Sequence, residues 1–337
     1  MCTIPQIKRL TLGLTYQCNS RCTHCNTWQT WKSPLRSGNL SIDEYKDLLT
    51  SKVCGSLEEV SLTGGEPFLY RSIGDLIRLL IAIHPHINLS INTNGTNQKA
   101  LTSILQIEDI KTFKEIQIVV SVDGIGVVHD NIRGLNGSFD KNVNLIKYIR
   151  RYFPWVTLSI SFTAYPTNFR HLTDVLELSN QLDVGFTARM ANNSFFYDNQ
   201  HGFVDWSQAD LQEVNEKFKV VANHLAIRYN RPNSSHVIFL RRAVVGWLEK
   251  QRHYECFSGK DSLYIDPRGD VFPCIMLHKV LGNVAKDSLE DILLSNASIA
   301  TQHHIAERRC CCWTECETMK SIIRQKELFI SWCNSES

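Results

Sequence analysis

Leu10, Leu12 and Leu14 alternate with Arg9, Thr11 and Gly13. That period of two predicts a first β-strand over residues 7–14. Short apolar-rich runs of the same kind return at 59–62, 88–93, 116–122, 157–163 and 184–190, and predict five more strands. Between them apolar positions recur at helical spacing, over 42–49, 73–83, 99–105, 141–152 and 169–182. Ser41-Ile42-Asp43-Glu44 has the form of a capping box opening the first of these helices.

Strands that alternate with helices imply a parallel sheet with helices outside. The expected fold is α/β: a partial, six-stranded (β/α) TIM-like barrel over residues 1–190. In such barrels the site is built at the C-terminal ends of the strands. Four unusual segments fall there: a cysteine loop after the first strand, then Gly64-Gly65-Glu66, Thr93-Asn94-Gly95 and Val122-Asp123-Gly124. The pattern changes after residue 190. Residues 191–255 read as a helical connector packed on the barrel, with helices over 207–229 and 237–250. Residues 256–337 read as a small cysteine-rich domain, with a β-hairpin about Pro267-Arg268-Gly269-Asp270, a helix starting at Ser288 and a last helix over 319–331. The hairpin brings Cys256 and Cys274 near each other.

A hydrophobic fraction of 43% is enough for a full core, and a net charge of +2 leaves no footprint for nucleic acid. No apolar run reaches membrane-spanning length, and residues 1–5 have no export-signal pattern. Twelve cysteines are too sparse for a disulfide scaffold and read as metal ligands in a reducing cytoplasm. Cys18, Cys22 and Cys25 have the spacing C-x3-C-x2-C. Soft thiolates suit iron–sulfur clusters or zinc. A closed zinc site wants four ligands, whereas three thiolates on a four-iron cluster leave one iron open for chemistry. A zinc knuckle completed by His24 or a distant residue stays open on the residues alone. So does a zinc ribbon at the C-terminal cysteines. Cys2 and Cys54 match nothing and read as free thiols, and Cys333 as free or a spare ligand.

Taken together, these segments resemble the radical S-adenosylmethionine (SAM) enzymes, in the branch with a C-terminal twitch or SPASM domain. The resemblance covers nearly the whole chain. It implies that Cys18, Cys22 and Cys25 hold a [4Fe–4S] cluster whose open iron is chelated by SAM. It places His24 near the adenine, Gly64, Gly65 and Glu66 at the SAM amino group, and Thr93, Asn94, Ser121 and Asp123 along the SAM site. His129-Asp130-Asn131-Ile132-Arg133-Gly134 resembles a segment whose arginine, Arg133, approaches the SAM carboxylate or ribose. Cys256, Gly269 and Cys274 match C-x12-G-x4-C, and Cys312-Trp313-Thr314-Glu315-Cys316 resembles the domain's closing cysteine turn. Cys310-Cys311-Cys312 departs from the full SPASM pattern. One auxiliary [4Fe–4S] cluster is therefore expected, on Cys256, Cys274, Cys316 and either Cys310 or Cys312; two would need the full pattern.

The activity so implied is that of a radical SAM oxidoreductase. SAM is cleaved reductively to a 5′-deoxyadenosyl radical, which takes a hydrogen atom from the substrate, and the auxiliary cluster takes up an electron. An electron donor of flavodoxin or ferredoxin type is expected as partner, with no nucleic acid and no membrane. Strand one begins near Ile7, leaving no leader-binding domain in cis, and this favours a small polar metabolite as substrate. A peptide, matured with a separate leader-binding partner, is the alternative. A zinc-bound interaction module on a degenerate barrel is the reading from a different class.

Overall fold

The computed structural model describes residues 5–199, 205–249 and 252–334. Cys2 and the side chain of Cys333 lie outside the described residues. Six parallel strands form in chain order: β1 (Arg9–Gly13), β2 (Glu59–Thr63), β3 (Asn88–Thr93), β4 (Glu115–Ser121), β5 (Thr157–Ala164) and β6 (Gly185–Met190). Each pairs with its sequence neighbour. Helices cross back outside the sheet, among them Ile42–Thr50, Ile73–Ile83, Ser138–Tyr152 and Leu172–Gln181. The Ser41–Glu44 capping box forms, and the bounds of the second helix and of β3 match the sequence pattern residue for residue.

Register explains why the strands alternate. Leu12, Leu62, Ile91, Ile118 and Leu158 are partners across β1 to β5, and all belong to the buried core. The next row, Thr11, Ser61, Ser90 and Gln117, is polar. Since successive side chains point to opposite faces, one face packs on the helices and the other gives a polar barrel interior. A barrel closed around side chains alone would be branched and apolar inside. This one leaves room for a polar ligand.

Three more strands extend the same sheet: β7 (Ser262–Ile265), β8 (Asp270–Phe272) and β9 (Gly282–Asn283). β7 pairs in parallel with β1, and the hairpin turns antiparallel through β8 to β9. Gly269, with φ +87°, makes the turn possible. Strand β1 thus lies between β2 and β7, and one nine-stranded sheet runs from β6 to β9.

Several helices differ from the sequence pattern. Residues 237–250 were expected as one helix; within the described residues there are two, Ser235–Arg241 and Ala243–Leu248. Arg242 sits at the break, buried, with its guanidinium 3.4 Å over the Trp332 ring and an ion pair to Glu249 at 3.1 Å. The last helix is also divided, into Glu315–Arg324 and Lys326–Asn334. Between them the Gln325 amide donates to Glu255 O and accepts from Glu255 N, a tertiary use that stops the helix. Val127–Arg133 and Asn296–Ala306 are helices that were not expected.

Candidate active site

The cysteine loop leaves β1 and is fixed by two neighbouring segments. Gly65 N donates to Thr15 O at 2.7 Å and Glu66 N to Gln17 O at 2.8 Å. This approach needs glycine: a Cβ on Gly64 would come within 2.4 Å of Thr15 O, and one on Gly65 within 2.2 Å of Gln17 O. On the other side Arg21 N and Thr23 N donate to the carbonyls of Arg133 and Ile132, at 2.8 and 2.9 Å. Asn94 Nδ2 donates to Asn19 Oδ1 and Ser20 Oγ, at 2.7 and 3.0 Å.

The loop borders a cavity of about 240 Å3 in the barrel mouth. Cys18, Cys22, Cys25, His24, Gly64, Gly65, Thr93, Asn94, Ser121 and Arg133 all line it. Glu66 and Asp123 do not; both are fully buried behind the wall. The Glu66 carboxylate accepts from Thr93 Oγ1 and Asn94 N, both at 2.8 Å, and ties two strand ends together. Burial pushes its pKa up to about 7, against those bonds. Asp123 accepts from Thr163 N at 2.8 Å and lies 2.7 Å from Arg133 Nη2, off the angle of a hydrogen bond. It aims Arg133, whose Nη1 lies 3.7 Å from Cys22 Sγ. Burial opposes the charge on Arg133, but Asp123 and Cys22 outweigh it and its pKa rises.

The other cysteines divide. Cys256, Cys274, Cys310, Cys311 and Cys312 line a separate cavity of about 70 Å3 in the C-terminal region. Cys316 lines the barrel cavity, facing the first triplet. Thr314 spans the division, with its Oγ1 3.8 Å from Cys312 Sγ and 3.7 Å from Cys316 Sγ. Thr27 and Ser258 stand in the same i+2 relation to Cys25 and Cys256, at 3.3 and 3.2 Å. The repeated Cys-x-Ser/Thr is visible in the sequence and signals sulfurs served by hydroxyls.

Residues 12–178 match the model of the Radical SAM superfamily, and residues 256–317 match SPASM, an iron–sulfur cluster-binding domain. This is a radical SAM protein with a SPASM domain. It is similar to the antilisterial bacteriocin subtilosin biosynthesis protein AlbA of Bacillus subtilis, 24% identical over 86% of this chain and 60% of AlbA. It is also similar to the AdoMet-dependent heme synthase of Methanosarcina barkeri, 26% identical over 83% of this chain and 80% of the synthase. Among solved structures, Streptococcus suis SuiB bound to precursor peptide SuiA superposes with a TM-score of 0.65 at 16% identity, over 88% of this chain and 67% of SuiB. The chain spans three fifths of AlbA's length.

A radical SAM domain binds a [4Fe–4S] cluster and SAM, and the SPASM domain binds an iron–sulfur cluster. The residues present suit both. Among the described residues no three Cys, His, Asp or Glu side chains converge on a single metal ion, so the thiols border a space rather than meet at a point. Burial pushes Cys18 up to about 12 and Cys22 to about 11, the latter against Arg133. Such thiols ionise when a cation takes them as ligands. His24 is held down to about 4 by burial, and its Nδ1 has no partner among the described residues. A neutral ring at the cavity wall is suited to packing beside a purine. An iron–sulfur domain, not a zinc ribbon, is what the C-terminal match describes.

Proposed function

We propose that this chain is a radical SAM oxidoreductase that modifies a peptide, with Cys18, Cys22 and Cys25 holding the first cluster. One observation carries the reading: a single cavity runs from those three thiols to Cys316 of the SPASM region. When bound, the first cluster and SAM supply a 5′-deoxyadenosyl radical that takes a hydrogen atom. Everything else is the chain's own work. Arg133, fixed by Asp123, balances negative charge at Cys22 and faces the SAM carboxylate or ribose. Thr93, Asn94 and Ser121 offer polar contacts along the SAM site, and Gly64 and Gly65 let its amino group approach backbone. Cys256, Cys274 and Cys312, with either Cys310 or, from the barrel side, Cys316 as the fourth thiolate, hold one auxiliary cluster next to the substrate, ready to take its electron.

A peptide is favoured over a compact metabolite because the polar interior continues into a second cavity of about 460 Å3 that shares Arg9, Ser61, Asn92 and Arg189 with the first. AlbA and SuiB, by their names, serve a bacteriocin and a precursor peptide. The heme synthase keeps a small-molecule reading in view. Ten described cysteines are free of disulfides, which suits a reducing cytoplasm and a flavodoxin- or ferredoxin-type donor. Among the described residues no helix is long and apolar enough to cross a membrane. The test is anaerobic incubation of the iron-loaded protein with SAM, reductant and the short peptides encoded beside its gene. A peptide lighter by two hydrogens, formed with 5′-deoxyadenosine, is the expected result. 5′-Deoxyadenosine released with every such peptide unchanged would move the reading to a metabolite.

A further inference from the structure

Among the described residues the charged groups of the barrel interior named here are ion-paired, and Arg189 holds its partner at the longest distance. Arg9 is taken up by Glu317 and by the Cys316 carbonyl, and Glu59 pairs with Lys320. Arg189, near the end of β6, lines both the barrel-mouth cavity and the wider one. Its Nη2 donates to Ser161 Oγ at 2.6 Å and stays 3.5 Å from Glu315 Oε2. Glu315 is engaged by the Thr187 hydroxyl and steadies the guanidinium from the side. Arg189 Nε is closed off from solvent and has no partner among the described residues. His236 lines the wider cavity and also neighbours Glu315, and its Nε2 is buried and unpartnered in the same way.

A buried N–H without an acceptor is costly and calls for an explanation. Neither nitrogen has room for a ligand atom as it stands, but Arg189 keeps 27% of its side chain exposed while lining both cavities, so its outer guanidinium nitrogens can meet an acceptor that a ligand brings. We propose that Arg189 and His236 form an anion-recognition subsite inside the barrel, which takes a carboxylate carried by the substrate. The planar guanidinium, through its outer Nη hydrogens, matches the two oxygens of a carboxylate, and His236 closes the wall beside Glu315. Glu315 at 3.5 Å offsets part of the positive charge, so the subsite suits one negative charge rather than a doubly charged phosphate. The other charged groups on these walls, among them Arg9, Glu59, Arg133 and Lys320, are held in close ion pairs, and Ser61, Asn92 and Thr163 are uncharged, which leaves the loosely paired Arg189 to decide the charge of what enters.

The inference rests on the barrel interior being the substrate space, whether the substrate is a peptide or a metabolite. Ligand-observed NMR titrations on the anaerobic, iron-loaded, SAM-saturated protein test it with matched probes. N-acetylglutamate amide is compared with N-acetylglutamine amide, and glutarate with glutaramide. The acidic member of each pair should bind about tenfold tighter. That preference should vanish in Arg189→Gln, survive in part in Arg189→Lys and fall severalfold in His236→Gln. Iron content and SAM binding by equilibrium dialysis identify any variant that fails to fold, and the wild-type pairs decide the matter without it. Equal binding within each pair, no binding of any probe, or a preference that persists in Arg189→Gln overturns the proposal. So does displacement of SAM by glutarate, which would give Arg189 to the cofactor, and tighter binding of methyl phosphate. Failure of all encoded peptides to react, with glutarate still bound through Arg189, would remove the peptide reading and leave this one standing.

Discussion

The two cysteine regions are held by different forces. In the first, three thiols share one loop, and backbone hydrogen bonds from the Gly64–Glu66 and Ile132–Arg133 segments fix it on both sides. In the second, cysteines far apart in sequence are gathered by packing. Trp313, 3% exposed, lies between the two cysteines of the closing turn. Its ring stacks on Phe239 at 5.7 Å and 9°, and its Nε1 donates to Phe239 O at 3.0 Å. Gly246 lies so close beneath that a Cβ there would come within 2.3 Å of the indole. A site of the first kind depends on short-range polar geometry. A site of the second kind depends on the whole connector being in place.

The sharpest way to break the comparison is to remove ligands on each side. Cys22→Ala should abolish conversion of SAM to 5′-deoxyadenosine altogether. Replacing Cys256 and Cys274 together should remove about half the iron and stop product formation, while some SAM cleavage continues. Iron analysis with separate counts of 5′-deoxyadenosine and product checks both. An unchanged ratio of product to 5′-deoxyadenosine in the double variant would make the second cluster structural only.

A smaller effect is expected from packing alone. Gly246→Leu forces the Trp313 ring to move, an overpacking cost of about 1–3 kcal/mol. Its effect should be confined to the SPASM region: auxiliary iron falls, and the first cluster keeps its spectrum with bound SAM. Equal iron loss from both regions would show that the two are not held independently.

The smallest effect sharpens the contrast. Thr314→Val removes a hydroxyl that touches two sulfurs, while Thr27→Val removes one that touches a single sulfur. Hydrogen bonds to cluster sulfurs favour the more negative, reduced state. Both variants should lower a midpoint potential by tens of millivolts, Thr314→Val on the auxiliary cluster and Thr27→Val on the first cluster by the larger amount, since a hydroxyl donates one hydrogen and Thr27 lies closer to its sulfur, at 3.3 Å against 3.7 and 3.8 Å. Redox titration followed by EPR reads each cluster separately.

What was legible in the sequence follows the same division. The barrel strands and their helices could be read because each face carries its own period, as in β3 and the helix Ile73–Ile83. The motif loops could be read because they sit at strand ends, and the structure brings Cys18, His24, Gly64, Asn94 and Arg133 to one cavity. The helix breaks at Arg242 and Gln325 were not legible, since they involve Trp332 and Glu255, both far away in sequence. Nor was the direction of Cys316, which depends on Arg9 gripping its carbonyl. Arg189 and His236 were missed although a signal existed. Serines, threonines and asparagines recurring at alternate strand positions announced a polar interior, and the arginines in that series, Arg9 and Arg189, marked its charge.

The seam between β1 and β7 has a practical consequence. β1 carries the cysteine loop and is an inner strand only because β7 pairs with it. Cutting the chain before Cys256 would strip away that partner and leave β1 with a row of unpaired backbone groups. A bare inner strand is a template for other chains. The barrel released in this way should self-associate, and its aggregation would say nothing about whether the second cluster matters for catalysis. Dissection of the two regions therefore belongs to point substitutions in the intact chain.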